Sequence, residues 1–438
     1  MSIAVFNIND AGIQVSVDGD LIRTSPGYAV LDGNNLLTGE EASQNAKLLP
    51  RWTNNRFWSQ LNVNPLPNGN NQIRHHADLA FAHMEALWQP IAAGVESAVF
   101  VVPGYYGNDN LGLLLGMSEE AAIPVRGVVD SSIIQAADLP LRKTVLHLDI
   151  HLHSITLTNI SNTGTLARRD VKTVIESGIF TLLDRWSNII ADQFIQTTRF
   201  DPMHNADTEQ QLFNKLPAWI AALGDANAHP IALTAGDTEH SVSISNDSLL
   251  KACASIYPQI VQAIRNEVPA GETATLLVSH HFTGFPGLKN SLGLINNVEV
   301  IDLAELKAVG SASVHQGEIV VRDGPVQHVL QISTGSEQAA VAATPSSVQA
   351  THLLWQHQAF AIGNGIKLGD DLSEGPRATD NPACTLYQRN QQLVLETHRE
   401  GAVQLNGIEA ANQETVNLGD ILTIGGQPLT VISVTSDG

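Results

Sequence analysis

Histidine and aspartate side chains that could bind a metal ion alternate with apolar residues in VLHLDIHLHSITL, residues 145–157. The stretch predicts a strand, a tight turn and a second strand, because its apolar residues recur at every second position. Strand alternation puts four of the polar side chains on one face: His147, Asp149, His151 and His153. Imidazole and carboxylate groups are ligands for transition metals, and His280 and His281 are further candidates if the chain brings them close.

We nevertheless expect no metal, because the chain contains no HExxH pair and these histidines can hydrogen-bond with one another or with water. Nucleophilic hydrolase chemistry is also disfavoured, since no GxSxG elbow follows a predicted strand. His75, His76 and His83 lie in a predicted helix, where a solvated or partly buried face explains them better than chemistry does. Cys253 and Cys384 are far apart in sequence, which indicates neither a disulfide framework nor a zinc site.

The composition is that of a globular, strongly acidic protein. The chain has 438 residues, of which 43% are hydrophobic and 15% are charged, and this length suits roughly two to four domains. Lys and Arg number 23 against 44 Asp and Glu, and the net charge of -21 disfavours nucleic acid and anionic membranes as partners. No apolar run reaches the roughly 18 residues of a membrane span. Because the first residues lack the basic start of a signal peptide, we expect a cytoplasmic protein.

Two successive blocks of hairpins and helices predict a two-lobed α/β body. The first block has hairpins over 3–38, helices around 39–49, 73–92 and 111–122, and strands at 97–103 and 124–129. The second has hairpins over 144–170, helices around 177–197, 207–223 and 248–268, strands over 231–245 and a strand from Thr275. We assign the first lobe to residues 1–141 and the second to residues 142–335.

The sequence changes character after the second block. Residues 336–351 are small and polar, which predicts a linker. Residues 352–438 carry strand and turn signals with little helical periodicity, which predicts a compact all-β module.

Several stretches of the two lobes, in this order and spacing, resemble the ATPase domain of the seventy-kilodalton heat-shock chaperones and their actin-like relatives. AVFNINDAGIQVSV falls at that family's first phosphate hairpin, FVVPGYY at a strand and corner of its first lobe, VLHLDIHLHSITL at its second phosphate hairpin, and LLVSHHFTGFP at its adenosine loop. The resemblance covers roughly residues 3–330. It implies duplicated α/β lobes that clasp ATP with magnesium, whose hydrolysis drives lobe rotation.

The resemblance also implies that the phosphate site is degenerate. Phosphate hairpins use glycines so that backbone N–H groups can approach phosphate oxygens. In the second hairpin three glycines of the family correspond to His151, Leu152 and His153, with Ser154 at its threonine. In the first hairpin the aspartate that organises the magnesium-bound waters corresponds to Asn7, a glycine to Asn9 and a threonine to Asp10.

Two further elements of the family's site are altered. In the adenosine loop two glycines correspond to Ser279 and His280. No lysine occurs between Lys47 and Lys143, so the catalytic lysine has no counterpart, while the acidic Asp149 and Asp130 remain. We therefore expect a cleft that no longer hydrolyses ATP, lined by Asn7, Asn9, Asp10, Asp149, His151, His153, Ser154, Ser279, His280 and His281.

The C-terminal module resembles a forkhead-associated domain, a β-sandwich that usually binds phosphothreonine. The matching residues are Leu405-Asn406-Gly407, Leu418-Gly419-Asp420 and Ile424-Gly425. The family's first-loop arginine corresponds to Asn364, and its serine-arginine-x-histidine run falls near 381–384, where neither arginine nor histidine occurs. Phosphate recognition needs cationic or hydroxyl-bearing loops, so we expect a protein-binding module that does not depend on phosphothreonine.

Together these features predict a heat-shock-chaperone-like pseudo-ATPase that acts as a scaffold or adaptor, without a cofactor and without enzymatic activity. It would bind a protein partner through its C-terminal β-sandwich. The alternative is a weak or active ATPase that uses ATP with magnesium, keeps Asp149 as its acid and switches partner binding by lobe closure. A third hypothesis is a metal-dependent enzyme built on the histidine cluster.

Overall fold

The computed structural model describes residues 2–223, 228–269, 271–322 and 324–333. In the C-terminal part it describes residues 351–355, 358–363, 365–369, 372, 379, 381–389, 392–399, 401–405, 408–416 and 420–432. The chain divides into two compact units, residues 1–340 and 341–438. The linker predicted at 336–351 lies outside the described residues except for Thr351, as do Asn364, Asn406, Gly407, Leu418 and Gly419 of the predicted module.

The first unit combines sheets with helices, as the sequence predicts for an α/β protein. Residues 2–141 contain β1 (Ile3–Asn7), β2 (Ile13–Val17), β3 (Asp20–Ser25), β4 (Ala29–Asp32), β5 (Asn35–Thr38), α1 (Gly39–Ser43), β6 (Thr53–Asn54), α2 (His76–Trp88), β7 (Ser97–Val102), α3 (Asn108–Glu120), β8 (Val125–Asp130) and α4 (Ser131–Ala136). Residues 142–223 contain β9 (Thr144–Ile150), β10 (Ser154–Asn162), β11 (Thr165–Ile175), α5 (Ile179–Thr198) and α6 (Ala206–Leu223).

The remainder of this unit follows the same alternation. Its elements are β12 (Ala228–Ala235), β13 (Thr238–Ser245), α7 (Asn246–Ala252), α8 (Tyr257–Glu267), β14 (Ala274–Val278), α9 (Leu288–Leu292), β15 (Val298–Asp302), α10 (Lys307–Val314), α11 (Gln316–Ile319), β16 (His328–Val329) and β17 (Gln331–Ser333). Short 3-10 helices occur at Ala92–Gly94 and His280–Phe282. Among the described residues, no helix is both long enough and apolar enough to cross a bilayer.

The two large sheets of the first unit share the same order over five of their six strands, β8-β7-β1-β2-β3 in one and β15-β14-β9-β10-β11 in the other, and the sixth strands, β16 and β17, lie at opposite ends. One runs β16-β8-β7-β1-β2-β3, and the other runs β15-β14-β9-β10-β11-β17. In each, three consecutive strands form an antiparallel meander whose first strand is also parallel to a later strand: β1 pairs with β7, and β9 pairs with β14. The first strand of each meander is therefore central in its sheet, and the turn that follows it lies inside the molecule.

The second unit consists of antiparallel strands. They are β18 (His352–Trp355), β19 (Gln358–Ala361), β20 (Gly365–Leu368), β21 (Cys384–Arg389), β22 (Gln392–Thr397), β23 (Val403–Leu405), β24 (Ile408–Glu409), β25 (Gln413–Val416), β26 (Ile421–Ile424) and β27 (Gln427–Ile432). They form a six-stranded and a four-stranded sheet. Side chains of both sheets share one apolar cluster, which includes Leu353, Leu386, Leu395 and Leu422. The predicted all-β character of this unit is confirmed for the described residues.

The strand, turn and strand predicted from VLHLDIHLHSITL are confirmed as β9 and β10, whose residues pair in antiparallel register. The leucine and isoleucine side chains of β9 lie in an apolar cluster with those of α5, among them Leu182, Trp186 and Ile190. These α5 residues recur at four-residue intervals and so share one face of the helix. This packing fixes the position of the turn that follows β9.

Two predicted helices are wrong in their extent. The helix predicted around 39–49 is helical only as α1 (Gly39–Ser43), and turns follow it. The sequence also predicts a single helix over 248–268, but the chain forms α7 and α8 with turns between them. Pro258 lies in the first turn of α8. Because proline lacks an N–H and its ring collides with the preceding helical turn, it starts a new helix instead of continuing the old one.

The expectation of a solvated or partly buried face is also wrong for His83, which is only 1% exposed. The indole N–H of Trp58 donates to His83 Nδ1 at 3.0 Å, which leaves the ring proton on Nε2, 2.8 Å from the Ser25 hydroxyl. Burial lowers the pKa of His83 to about 3. The ring is a neutral, fully hydrogen-bonded part of the core, and its partners lie 25 and 58 residues away in sequence.

Gly178, immediately before α5, is packed against the turn that follows β9. A Cβ at this position would overlap the carbonyl oxygens of His151 and Leu152 and the amide nitrogen of His153. The two N–H groups that follow it, of Ile179 and Phe180, donate to the carbonyls of His151 and Leu152, each at 2.9 Å. Only glycine permits this approach of helix to turn.

We expect Gly178→Ala to lower the free energy of unfolding of the first unit by about 2 kcal/mol or more, because backbone rather than a flexible side chain must move. The matched control is Gly116→Ala in α3, where no atom lies within 4 Å of the added Cβ. That change should stabilise by about 0.5–1 kcal/mol, since alanine is the better helix former. Urea unfolding of both variants measures the difference, and equal effects of the two substitutions would contradict the packing described.

Candidate functional site

Two turns from the two large sheets meet inside the first unit. The first turn, residues 8–12, joins β1 to β2, and the second turn, residues 151–153, joins β9 to β10. The backbone N–H of Leu152 donates to Asp10 Oδ1 at 2.8 Å, and both residues are buried. A carboxylate of the first turn therefore takes the hydrogen bond that the second turn could offer to an anion.

Asp10 is held in this position from its backbone as well. The N–H of Gly27 donates to the Asp10 carbonyl at 2.8 Å, and a Cβ on Gly27 would lie 3.0 Å from the Asp10 Cβ. The ring of His151 is close by, with Nδ1 3.9 Å from Asp10 Oδ1. The carboxylate is thus fixed between the second turn and an imidazole.

Asn9 makes a second link between the sheets. Its side-chain amide donates to Asp149 Oδ2 and to the carbonyl of Ile150, each at 3.1 Å. Its own Oδ1 accepts from the N–H of Ala11 at 3.0 Å, which orders the first turn. A glycine at position 9 could make none of these side-chain bonds.

Asp149 carries a negative charge at the centre of this contact. Burial alone would raise its pKa, but the hydrogen bond and charge of His281, together with the charges of His151 and His147, hold the pKa of Asp149 well below its usual range. Asp149 Oδ1 accepts from the N–H of Ile150 at 2.9 Å and lies 3.6 Å from His281 Nδ1. Each turn therefore has a carboxylate: Asp10 lies in the first turn, and Asp149 lies two residues before the second turn.

The side chains of the second turn pack against their neighbours and cover the backbone of the turn. His151 packs edge-on against the Tyr105 ring at 5.0 Å between centroids, and its Nε2 lies 3.4 Å from the Thr156 hydroxyl. His153 Nε2 donates to the carbonyl of Asn55 at 3.0 Å, which fixes its tautomer. Burial, aided by the charge of Arg56, lowers the pKa of His153, so the ring stays neutral.

The loop after β14 closes the cluster from the other side. The backbone N–H of Ser279 donates to the carbonyl of Leu148, and the Ser279 hydroxyl lies 3.0 Å from His281 Nδ1. The rings of His280 and His281 are in contact, with centroids 3.9 Å apart and planes tilted by 36°. Burial, with the neighbouring His281, lowers the pKa of His280 to about 4.

Four buried polar atoms in this cluster have no hydrogen-bond partner among the described residues: Asp10 Oδ2, His147 Nε2, His151 Nδ1 and His153 Nδ1. Unpaired buried polar atoms reduce stability, and most natural proteins contain few of them. Because four such atoms lie together, this cluster has the least complete hydrogen bonding in the part of the interior that the structure describes.

Three of the candidate residues are less directly involved. Asn7 lies at the end of β1 and donates to Gln14 Oε1 at 3.3 Å. Ser154 begins β10, and its carbonyl accepts from the His151 N–H at 2.8 Å, which closes the second turn. Asp130 caps α4 through the Ser132 N–H and is paired with Arg168 at 2.7 Å, so its charge is neutralised.

The structure thus brings eight of the ten predicted cleft residues into one connected cluster around the two turns: Asn9, Asp10, Asp149, His151, His153, Ser279, His280 and His281. Within the described part of the chain, no group of three or more His, Cys, Asp and Glu side chains is arranged to hold a metal ion.

Sequence reasoning did not identify three residues that complete the cluster. The Asn55 carbonyl accepts the hydrogen bond from His153 Nε2, Arg168 neutralises Asp130, and Gly178 lets α5 approach the second turn. Gly178 could have been found from the sequence, because a glycine directly before a long amphipathic helix indicates a special N-terminus. Asn55 and Arg168 carry no local signal.

No protein-family model matches this chain, and comparison with curated proteins gives no significant match.

The buried histidines predict a loss of stability in mild acid. Because the folded-state pKa of His280 is about 4, below the value of about 6.5 for a free histidine, the unfolded chain binds more protons between these values. Stability is therefore complete above about pH 6.5 and falls as the pH drops toward 4. The low pKa of Asp149 acts only below this window.

We expect His280→Phe and His280→Asn to reduce the slope of unfolding free energy against pH in this window, each by up to about 1.4 kcal/mol per pH unit. The two variants differ in packing but equally remove the titrating group, so agreement between their slopes separates titration from packing. Chemical unfolding at a series of pH values makes the measurement. Slopes unchanged from the parent protein would show that His280 does not take up a proton on unfolding.

Proposed function

We propose that this protein is a heat-shock-chaperone-like pseudo-ATPase that serves as a scaffold or adaptor. The observation that carries the proposal is the hydrogen bond from the Leu152 N–H to the Asp10 carboxylate. In a phosphate-binding clasp such an N–H is free for the ligand. Here the Asp10 carboxylate of the same protein accepts this hydrogen bond, and it carries a negative charge as a phosphate oxygen would.

The sheet topology supports the two-lobed, actin-like arrangement that this proposal includes. The repeated order of meander and parallel strands suits a duplicated pair of α/β lobes, and the two phosphate hairpins of that family would correspond to β1–β2 and β9–β10. The first turn and the second turn then face each other across the lobes. This is where a clasp would hold a triphosphate.

Electrostatics also favour a non-hydrolysing protein. A triphosphate placed at the turns would bring several negative charges close to Asp10 and Asp149, and like charges a few ångströms apart repel strongly when they are partly buried. Arg168, a nearby cation, is already paired with Asp130. The N-terminus of α5, a usual position for an anion, has two of its N–H groups bonded to the carbonyls of the second turn.

The C-terminal unit would provide the adaptor's protein-binding surface. We interpret its two antiparallel sheets with a shared apolar cluster as a forkhead-associated-like β-sandwich that binds a protein partner without requiring phosphothreonine. The acidic charge of the chain argues against nucleic acid and anionic membranes. We place the protein in the cytoplasm and assign it no cofactor.

One observation favours the alternative of a weak ATPase. Asp149 stays ionised at neutral pH because its pKa is held low, so an acid able to position a magnesium-bound water survives. In that case ATP with magnesium would have to displace Asp10 from Leu152, and lobe closure would switch partner binding.

Thermal unfolding with nucleotide distinguishes the two functions. A ligand with a Kd of about 10 µM, supplied at about 1 mM, stabilises the folded state by about 2.7 kcal/mol. For a unit of this size that would raise Tm by about 3–4 °C. We expect Mg-ATP and Mg-ADP to leave Tm unchanged.

Magnesium chloride without nucleotide is the control, because it separates a nucleotide effect from a general salt effect. A rise in Tm of several degrees with Mg-ATP but not with magnesium alone would overturn the pseudo-ATPase proposal. Calorimetric titration of the same samples would then give the affinity.

A further inference from the structure

A cavity of about 600 Å³ lies beside the two turns within the first unit. Its wall includes Gly12 of the first turn, Leu152 of the second turn and His281 of the loop after β14. Helices α1, α5 and α6 contribute much of the remaining wall, together with residues of β3, of the segment before β4 and of the loop after β14. Cavities that bind small molecules have volumes of about 300–1,000 Å³ and are mostly apolar with a few polar groups, and this one has that character.

Aromatic rings form much of the wall: Tyr28, Trp186, Phe213 and Phe285. They are locked in place by contacts with one another and with the backbone. Tyr28 packs edge-on against Phe213, and Trp186 packs edge-on against Phe285. The Trp186 indole N–H is already satisfied by the carbonyl of Leu249 at 3.0 Å. Trp186, Tyr28 and Phe213 are only 0%, 3% and 8% exposed, so these rings form the backing of the wall. Phe285 is half-buried and presents ring surface to an occupant, and edge-to-face packing against a further ring is favourable there.

The polar part of the wall discriminates against anions. Glu40, an exposed residue of α1, lines the cavity and accepts a hydrogen bond from Gln44 at 2.9 Å. Asn214 of α6 adds an amide, and no lysine or arginine is among the described residues that line the cavity. Lys47 Nζ lies 5.7 Å from the centre of the Phe213 ring, but it is already paired with Glu209 at 3.0 Å. An anionic ligand would therefore meet the Glu40 carboxylate without an unpaired lysine or arginine among the described lining residues.

We propose that this cavity is a binding site for an uncharged, planar aromatic small molecule. A ring of the ligand would pack against Phe285, and polar substituents would face Gln44 and Asn214. The inference rests on the proposed function in one respect, since a working ATPase would use the neighbouring turns for phosphate. A ligand here would contact both turns and α5, so its binding would affect both large sheets.

The test uses a pair of fluorescent probes with the same ring skeleton, the uncharged N-phenylnaphthylamine and its sulfonated analogue anilinonaphthalene sulfonate. We expect the uncharged probe to bind the full-length chain saturably at one site. The sulfonate should bind about tenfold more weakly because Glu40 repels it. Equal affinity for the two probes, or no saturable binding of the uncharged probe, would overturn the proposal.

Charge reversal at the cavity wall provides a sharper comparison. Glu40→Lys should strengthen binding of the sulfonate by about tenfold and change binding of the uncharged probe by less than about twofold. The matched control is Glu41→Lys, because Glu41 is the next residue of α1 and is exposed but does not line the cavity. The same response in both variants would mean that the probes bind elsewhere.

Blocking the cavity tests its location without disturbing the core. Asn214 is exposed at the wall, so Asn214→Trp should fill part of the cavity and weaken the uncharged probe about tenfold or more. Ala218→Trp, one turn further along α6 at an exposed position outside the wall, should leave binding unchanged. Unaltered binding in a folded Asn214→Trp protein would contradict the assignment.

Adding Mg-ATP to the probe complex separates the two proposals. If ATP binds without displacing the probe, the pseudo-ATPase proposal fails and the cavity assignment stands. If ATP binds and displaces the probe, the cavity belongs to a nucleotide site and both proposals fail. No effect of ATP supports both.

Discussion

The hydrogen bond between the Leu152 N–H and the Asp10 carboxylate is the interaction on which this account depends. It joins turns that are 142 residues apart in sequence and belong to different sheets. A bond to a charged acceptor that is buried from water is stronger than a neutral one, and breaking it would leave a buried N–H unpaired. The contact therefore both fastens the two sheets together and uses the backbone group that an anionic ligand would require.

The contacts around this hydrogen bond also occupy the two turns with groups of the protein itself. The carbonyls of the second turn accept from the start of α5, Asn9 links the first turn to Asp149, and the paired rings of His280 and His281 pack beside them. The N–H groups at the start of α5 and the Asn9 amide are donors that would otherwise be available to a polyanion. The apolar cavity next to the turns offers a different chemistry, suited to an uncharged aromatic compound. These contacts and the cavity beside them support the proposed scaffold role.

Much of the fold follows from local sequence patterns, while the site depends on distant partners. Alternation predicts β9 and β10, and the spacing of Leu182, Trp186 and Ile190 predicts α5. The break between α7 and α8 was missed because the helical pattern continues across Pro258. The sequence also indicates that side chains replace bare backbone at both turns. It cannot show that Asp10 would bond to Leu152, or that Trp58 and Ser25 would bury His83, because such pairings are set by packing of remote elements.

Hydrogen–deuterium exchange at the Leu152 amide tests the central claim most directly. If its N–H is bonded to the Asp10 carboxylate in a buried contact, the amide should exchange only when the first unit opens globally. Asp10→Ala should then accelerate exchange at Leu152 in the folded protein, whereas Asp20→Ala, at an exposed position of β3 in the same meander, should not. A Leu152 amide that exchanges freely in the native protein and becomes protected only when Mg-ATP is added would contradict the account.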